Sequence, residues 1–526
     1  MIEIDFQGYD MKNEKMILTM TAVIWAILLA VMGLLLLCVG KLNMLPAFYL
    51  AALGTALLLL WGIVGVLVWF KTRHSTPRAL HVRRMIAVIL SLVLILCCGL
   101  ATAAVSKAYQ TLGSISSTSM KTTSFGVYVR MDDPAQSLEH TADYMFAVLQ
   151  DQEGDVSRKA VKALEEELGH PISREVFAGA SEMVRALLDD RVDAMIISTS
   201  YIHILEENNL FDNLLQQIRE IHTLSLTEQI KVPESTKPQI QDHPEQESKP
   251  AFVAPKDGIT TQPFIVYISG SDTRTEFLVA RNSDVNILAV VNPVTKQVLL
   301  VNTPRDYYIP NPAGGGALDK LTHLGGFGVD VSMRGLSDLY GMEFDYYAQI
   351  CFSGFETLID AVGGVEVYSD HAFKAADIYV EEGYNYFDGA DALKFCRERK
   401  RLPMGDIDRG KNQMKVIQAV VDKLTSSKLI TNYSEIMDSL EGMFATNIPM
   451  QDISALVKMQ LHDNAKWEVF SYSSEGYGSW EETYSMPGDQ LSVMIPYEDQ
   501  VAHAAELIDR VLAGEKLTQA DMEHPQ

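Results

Sequence analysis

Along this chain the apolar positions change rhythm twice. Between residues 16 and 106 they are nearly continuous, and the runs Met16 to Gly40, Leu42 to Phe70 and Met85 to Ser106 contain no charged residue. Each matches or exceeds the ~20 apolar residues that a helix needs to cross a bilayer, and Trp25, Trp61 and Trp69 lie among them. Three such runs in succession predict three membrane-spanning helices. From about residue 120 the runs shorten. Phe125 to Val129 and Phe146 to Gln150 predict strands, and Ser157 to Leu168 a helix with apolar positions at Val161, Leu164 and Leu168. Ser181 to Leu188 predicts a second helix, and Val192 to Ile197 a further strand.

Pro233 to Gly258 breaks this pattern. It is rich in Pro, Gln, Glu and Lys and cannot bury enough apolar surface to fold. Ordered patterning returns at Thr261 and continues to about Gly514. The chain therefore divides into a membrane anchor with three transmembrane helices over 1–108, an α/β accessory domain over 109–230, a disordered linker over 231–259, a main domain over 260–515 and a tail over 516–526. The accessory segment, including the stretch Met183 to Ile197, resembles one lobe of a periplasmic solute-binding protein, without a ligand motif.

Charge gives the anchor a direction. The connection between the second and third runs carries Lys71, Arg73, Arg78, Arg83 and Arg84 and no acid. The positive-inside rule makes that loop cytoplasmic, so the N-terminus is expected inside and everything beyond about Lys107 outside the cell membrane. The chain as a whole carries a net charge of −25, which excludes a broad nucleic-acid surface. Of the five cysteines, Cys38, Cys97 and Cys98 fall in apolar runs, and no Cys/His cluster has zinc-site spacing. Cys351 and Cys396 lie in a compartment that permits disulfides; a bridge and two buried thiols both fit their positions.

The candidate chemistry lies in the main domain. Phe264 to Gly270, Val285 to Val291 and Val298 to Asn302 read as three strands, with a turn over Asn292 to Gln297. If they run antiparallel in sequence, the end of the first, the start of the second and the end of the third share one sheet edge. Asp272, Asp284 and Arg305 then converge, although 33 positions separate the outer two. Two carboxylates beside an arginine suit a divalent cation next to a phosphate, while each residue taken alone reads rather as a solvated turn aspartate or a surface arginine. Further on, Arg397, Arg399, Arg401, Arg409 and Lys411 fall within fifteen positions of an otherwise acidic chain. Arg409 and Gln413, four apart, share a face at a helix N-terminus, where anions are favoured. Guanidinium groups in such number suit a pyrophosphate; a solvated helix end paired with Glu398 and Asp406 is the plainer alternative.

In order along the chain, Ser271-Asp272, Asn282-Ser283-Asp284, Pro304-Arg305-Asp306, Phe352 to Phe355, Asp360 to Val365, Ala392 to Arg399 and Asp406…Arg409…Gln413 resemble the LytR-CpsA-Psr family. The resemblance implies an α/β fold in which the main domain is a three-layer αβα LCP domain around a mixed central sheet. It also implies magnesium-dependent transfer of a polyprenyl-pyrophosphate-linked glycopolymer (teichoic acid or a capsular or secondary wall polysaccharide) onto peptidoglycan through a phosphodiester bond. By motif position, Asp272 and Asp284 would be the acids near Mg2+. Arg305, Arg397, Arg399, Arg409 and Gln413 would bind the pyrophosphate, with Lys320 as a further phosphate contact after the Gly314-Gly315-Gly316 loop. Apolar strand residues and the Phe352–Phe355 segment would line a tunnel for the lipid, or serve as ordinary core. A polyprenyl-pyrophosphate hydrolase and a non-catalytic polyprenyl-phosphate-binding scaffold are the competing readings.

Overall fold

The computed structural model describes residues 6–70, 77–116, 120–150, 156–208, 210–229, 258–271, 278, 281–424, 440 and 442–525. It comprises two compact units. One is Met1–Ser114 with Ile430–Asp438 and Pro449–Ala465, the other Ile115–Leu429 with Ser439–Ile448 and Lys466–Gln526. Asp272 and the expected linker, apart from its last two residues, lie outside the described residues.

In the first unit the uncharged runs form α1 (Phe6–Leu42), α2 (Ala47–Trp69) and α3 (Pro77–Ser116). The spans Met16–Leu42, Ala47–Trp69 and Leu80–Gly113 are long and apolar enough to cross a membrane. Protein buries only 17–22% of the most apolar window of each, so the apolar remainder calls for lipid as its solvent. Trp25 and Trp61 stack at 3.9 Å, and each indole N–H donates to the other residue's backbone carbonyl, at 3.1 and 3.2 Å. That exchange satisfies both indoles where no water is available. The third helix continues past the expected domain boundary at residue 108 to Ser116, because nothing in that stretch breaks a helix. The helix Met450–Asp463 also belongs to this unit.

The second unit opens with the accessory region. Its elements are β1 (Met120–Arg130), β2 (Met145–Leu149), α4 (Val156–Leu168), β3 (Ser173–Phe177), α5 (Ala180–Leu188), β4 (Ala194–Ser198), α6 (Thr199–Glu207), α7 (Leu214–Gln217) and β5 (Ile218–Gln229). They build a sheet of order β3-β2-β4-β1-β5, in which β2 runs parallel to β3 and β4, and β1 antiparallel to β4 and β5. Strand alternation sorts two apolar layers. Val127, Phe146, Val148 and Ile196 pack with Val161 and Leu164 of α4, while Ala147, Met195 and Ile197 pack with Met183 and Leu187 of α5 and Leu205 of α6.

The main region follows with β6 (Phe264–Ser271), β7 (Ser283–Asn292), β8 (Gln297–Asn302), the pair β9 (Tyr308–Pro310) and β10 (Leu318–Lys320), α8 (Leu321–Phe327), α9 (Val329–Tyr340), β11 (Tyr346–Cys351) and α10 (Phe352–Ala361). Next come β12 (Val365–Ser369), β13 (Phe373–Ala375), β14 (Ile378–Val380), β15 (Gly383–Phe387), α11 (Gly389–Arg397), α12 (Asp406–Leu424) and β16 (Phe444–Thr446). The chain closes with β17 (Glu468–Ser473), the hairpin β18 (Gly476–Thr483) and β19 (Met486–Pro496), and α13 (Glu498–Leu512). The central sheet has the order β16-β11-β6-β7-β8-β17. As expected, β6, β7 and β8 pair antiparallel in sequence; β11 and β17 add parallel neighbours, making the sheet mixed.

One face of this sheet, with Ile265, Tyr267, Leu288, Val290, Leu299 and Val301, packs on α8, α9 and α13 through Leu324, Leu336 and Leu507. The opposite face is covered by α10, α11 and α12, giving three layers. Two boundaries differ from expectation. Leu517, in the expected tail, is buried in this core, and Thr518 with Asp521 forms a capping box there. Met486 and Leu491 of β19 complete the core of the accessory region, so both α/β regions form one unit.

Candidate active site

The edge formed by the start of β7 and the end of β8 brings together Asp284 and Arg305, two of the three residues expected to converge there. Beneath it lies a buried polar network in which the Tyr267 hydroxyl donates to Asn286 Oδ1 at 2.6 Å and Ser269 and Ser283 hydroxyls meet at 2.9 Å. Asn286 Nδ2 donates to the Ser283 carbonyl at 2.9 Å. Gly270 pairs with Val285 and Ser271 with Ser283, which leaves Asp284 as the extra residue of a bulge. Bulges of this kind re-aim a side chain away from the regular ladder. Asp284 meets Arg305, placed just past β8 by Thr303-Pro304.

Arg305 is 5% exposed and its guanidinium is surrounded by acid. One terminal nitrogen bonds Asp284, the other bonds Glu207 at the end of α6, and Nε lies 3.6 Å from Asp306. Burial would weaken its charge, but Asp284, Glu207 and Asp306 more than offset this and raise its pKa. Burial likewise pushes Glu207 up, and the Arg305 charge and hydrogen bond overcome it, holding the carboxyl below its ordinary value. Asp306 is held at about 2 against its own burial by Lys320, 2.7 Å away, and by Arg305.

A cavity of about 710 Å3 opens from this cluster. Its polar lining comprises Asp284, Glu206, Glu207 and Glu398 with Arg305, Arg397, Arg399, Lys400, Arg409 and Gln413; apolar side chains including Ile268, Ile350, Phe355, Leu393, Ile417 and Val420 line it as well. Arg397 stacks its guanidinium over Phe352 at 4.7 Å. Arg409 pairs with Asp406 at 2.5 Å, and Gln413 Nε2 donates to the Cys396 carbonyl at 3.2 Å. The first turn of α12 reaches the end of β8 because residue 410 is glycine: a Cβ there would lie 2.2 Å from Asn302 Nδ2. The lining thus combines five cationic and four acidic side chains with a larger apolar remainder.

Of the sequence candidates, Asp284, Arg305, Arg397, Arg399, Arg409 and Gln413 share this cavity. Lys320 does not line it; buried, it is committed to Asp306 behind Arg305. Asp272 lies outside the described residues. Cys351 and Cys396 are buried thiols not joined in a disulfide, and burial raises the pKa of both. Among the described residues no three His, Cys, Asp or Glu side chains cluster as a metal site. Sequence reasoning missed His203, Glu206 and Glu207, which bring the accessory region to the cavity wall. No motif marks them, since two acids at a helix end read as solvated.

A family model, the LytR_cpsA_psr family, matches residues 223–495. The polyisoprenyl-teichoic acid--peptidoglycan teichoic acid transferase TagU of Enterococcus faecalis is 33% identical over 203 residues, 37% of this chain and 65% of that protein. TagU of Oceanobacillus iheyensis is 32% identical over 203 residues, 37% of this chain and 62% of that protein. The match therefore spans somewhat less than two thirds of these curated relatives. The crystal structure of B. subtilis TagV aligns at 21% identity with a TM-score of 0.40, covering 49% of this chain and 99% of that chain.

Proposed function

Because this chain belongs to the LytR_cpsA_psr family, we propose that its main domain transfers a polyprenyl-pyrophosphate-linked glycopolymer onto peptidoglycan. The observation that carries the reading is the cavity, whose lining joins four arginines to a lipid-compatible apolar majority. The curated relatives are named teichoic acid transferases, so a wall glycopolymer is the donor class we infer. By the positive-inside argument this domain faces outward, where peptidoglycan lies.

In the proposed step an acceptor hydroxyl oxygen bonds to the glycan-side phosphorus. The bond from that phosphorus to the bridging oxygen breaks with its electron pair on the departing polyprenyl phosphate, and the hydroxyl proton passes to solvent. Arg305, Arg397, Arg399 and Arg409 hold the pyrophosphate and stabilise the charge that grows on the leaving phosphate. Phe355, Ile417 and their neighbours hold the lipid and keep water from it. Asp284 offers hard oxygen donors of the kind magnesium takes, and with Asp272 it would hold the ion, which would offset pyrophosphate charge. Lys320 keeps Asp306, and through it Arg305, in place.

The test is product analysis with a labelled lipid-linked glycan and peptidoglycan fragments, with and without magnesium. Ligated phosphoglycan that requires Arg305 and magnesium is expected. Free phosphoglycan without ligation would make the protein a hydrolase, and retained donor without turnover a binding scaffold. Full activity after Arg305→Ala would overturn the assignment of the cavity.

A further inference from the structure

The two-stranded sheet of β12 and β15 has one committed face and one open face. Alternation sends Val365, Val367 and Phe387 into a core shared with Phe395 of α11 and Val416 of α12. The same alternation turns Glu366, Tyr368, Tyr384 and Tyr386 to the other face, where Tyr384 is 74% exposed and Tyr386 67%. Tyr368 stands opposite Tyr384 and their rings meet edge-on at 5.2 Å, while Glu366 stands opposite Tyr386. The Tyr386 hydroxyl donates to the Gly363 carbonyl at 2.9 Å, which fixes that ring although most of it is in water. Cross-strand ring pairing stabilises two strands by itself and accounts for Tyr368 with Tyr384. It does not account for a third fixed ring beside a carboxylate.

One cation already sits on this face. Lys415 of α12 places its ammonium 5.9 Å from the Tyr368 ring centroid and 2.5 Å from Asp370. An ammonium between a ring and a carboxylate is favoured by both. Glu366 with Tyr384 and Tyr386 repeats that combination of ring and acid, and among the described residues Glu366 makes no ion pair or side-chain hydrogen bond. From Val365 to Phe387 the chain carries five acids and one lysine, so the potential over this face favours a cation and opposes a polyanion. Tyr384 and Tyr386 are alternate residues of one strand and stand about 7 Å apart on its face. Alternate side chains of an extended peptide have that same spacing of about 7 Å. Rings this exposed cannot enclose a small amine, so the fit is to a chain that meets several of them at once.

We propose that this face binds an extended peptide with lysines at alternate positions. One ammonium would lie over Tyr384 and the next over Tyr386, where the Glu366 carboxylate neutralises it. The inference is independent of the donor cavity and of the transfer proposed for it.

Calorimetric titration of the full chain in detergent with acetyl-Lys-Ser-Lys-Ser-Lys-amide tests it, at about 0.15 M salt, where exposed charges are screened beyond ~8 Å. Saturable binding is expected, at least about fivefold weaker for the same peptide with its lysines acetylated and for the Tyr384→Ser variant. Glu366→Gln should weaken it at least about threefold, whereas Glu166→Gln, at an exposed acid of α4, should leave it unchanged. Equal effects of the two glutamate substitutions would show a response to net charge alone and overturn the proposal. So would absence of saturable binding, equal binding of lysine amide, or tighter binding of the neutral glycan chitotetraose.

Discussion

Glu207→Gln separates occupancy of Arg305 from the integrity of its surroundings. In the resting chain the Glu207 carboxylate bonds one edge of the Arg305 guanidinium, facing the cavity where a phosphate is expected. On the proposed function a donor phosphate would displace it. Replacing the carboxylate by an amide removes the acceptor's charge but keeps a bond from the cationic guanidinium, a loss of about 1–1.5 kcal/mol within the ~1.5–3 kcal/mol of bonds to charged groups. At ~1.4 kcal/mol per decade, the affinity for a polyprenyl pyrophosphate should rise about five- to tenfold. Folding stability should fall by only about 1 kcal/mol, since Asp284 and Asp306 still flank the buried guanidinium.

The assay is competition binding of farnesyl pyrophosphate to wild-type and variant chains in the same detergent, where micelle partitioning cancels in the ratio. Thermal unfolding is followed alongside. The depressed Glu207 pKa also sets a pH window. Stability from the pair is complete above the unfolded value of about 4.3 and is lost as pH falls through the lower folded value. Unchanged or weaker probe binding in the variant would refute the idea that this carboxylate occupies the phosphate position.

Two further outcomes follow from packing and burial. Asp345 accepts from the Ile265 N–H at 2.8 Å, yet burial pushes its pKa up to about 6. The folded state thus prefers the neutral acid, and the penalty is absent below the unfolded value of about 3.9 and full above the folded value. Asp345→Asn should raise stability by on the order of 1–3 kcal/mol at pH 8 and leave it unchanged at pH 4; equal shifts in melting temperature at both pH values would contradict this. A Cβ at residue 389 would lie 2.1 Å from the Glu356 backbone carbonyl oxygen, so Gly389→Ala should force α11 and α10 apart. A loss of about 1–3 kcal/mol in denaturant unfolding is expected, and a stability within 0.5 kcal/mol of wild type would show that the helices yield freely.

The convergence of Asp284 and Arg305 was legible because β7 and β8 are consecutive and the four residues between them force antiparallel pairing. The arginines of α11 and α12 were legible because they break the charge habit of an acidic chain. Lys320 belonged to the same motif set, but its partner Asp306 draws it behind Arg305, and spacing carries no information about such a pairing. Glu207 was invisible for a different reason. It lies 98 positions before Arg305, and its docking depends on Met486 and Leu491, some 280 positions further on, completing the accessory core. Local patterning does not report contacts made over such separations. The parallel edge strand β17 was hidden likewise, since its pairing with β8 closes a loop of more than 160 residues.

The same ion pair bears on how the main region can be studied in isolation. Cutting the chain after the accessory region removes Glu207 from Arg305 and removes the covering of Met486 and Leu491. A fragment starting near residue 258 would expose those two side chains to water and leave its central arginine short of one counter-charge. Donor affinities measured on it would then exceed those of the whole chain for a reason unrelated to the membrane. The natural reference state of this site is therefore one whose mouth already holds a carboxylate from the neighbouring fold, and inhibitors would have to be ranked against that occupant rather than against water.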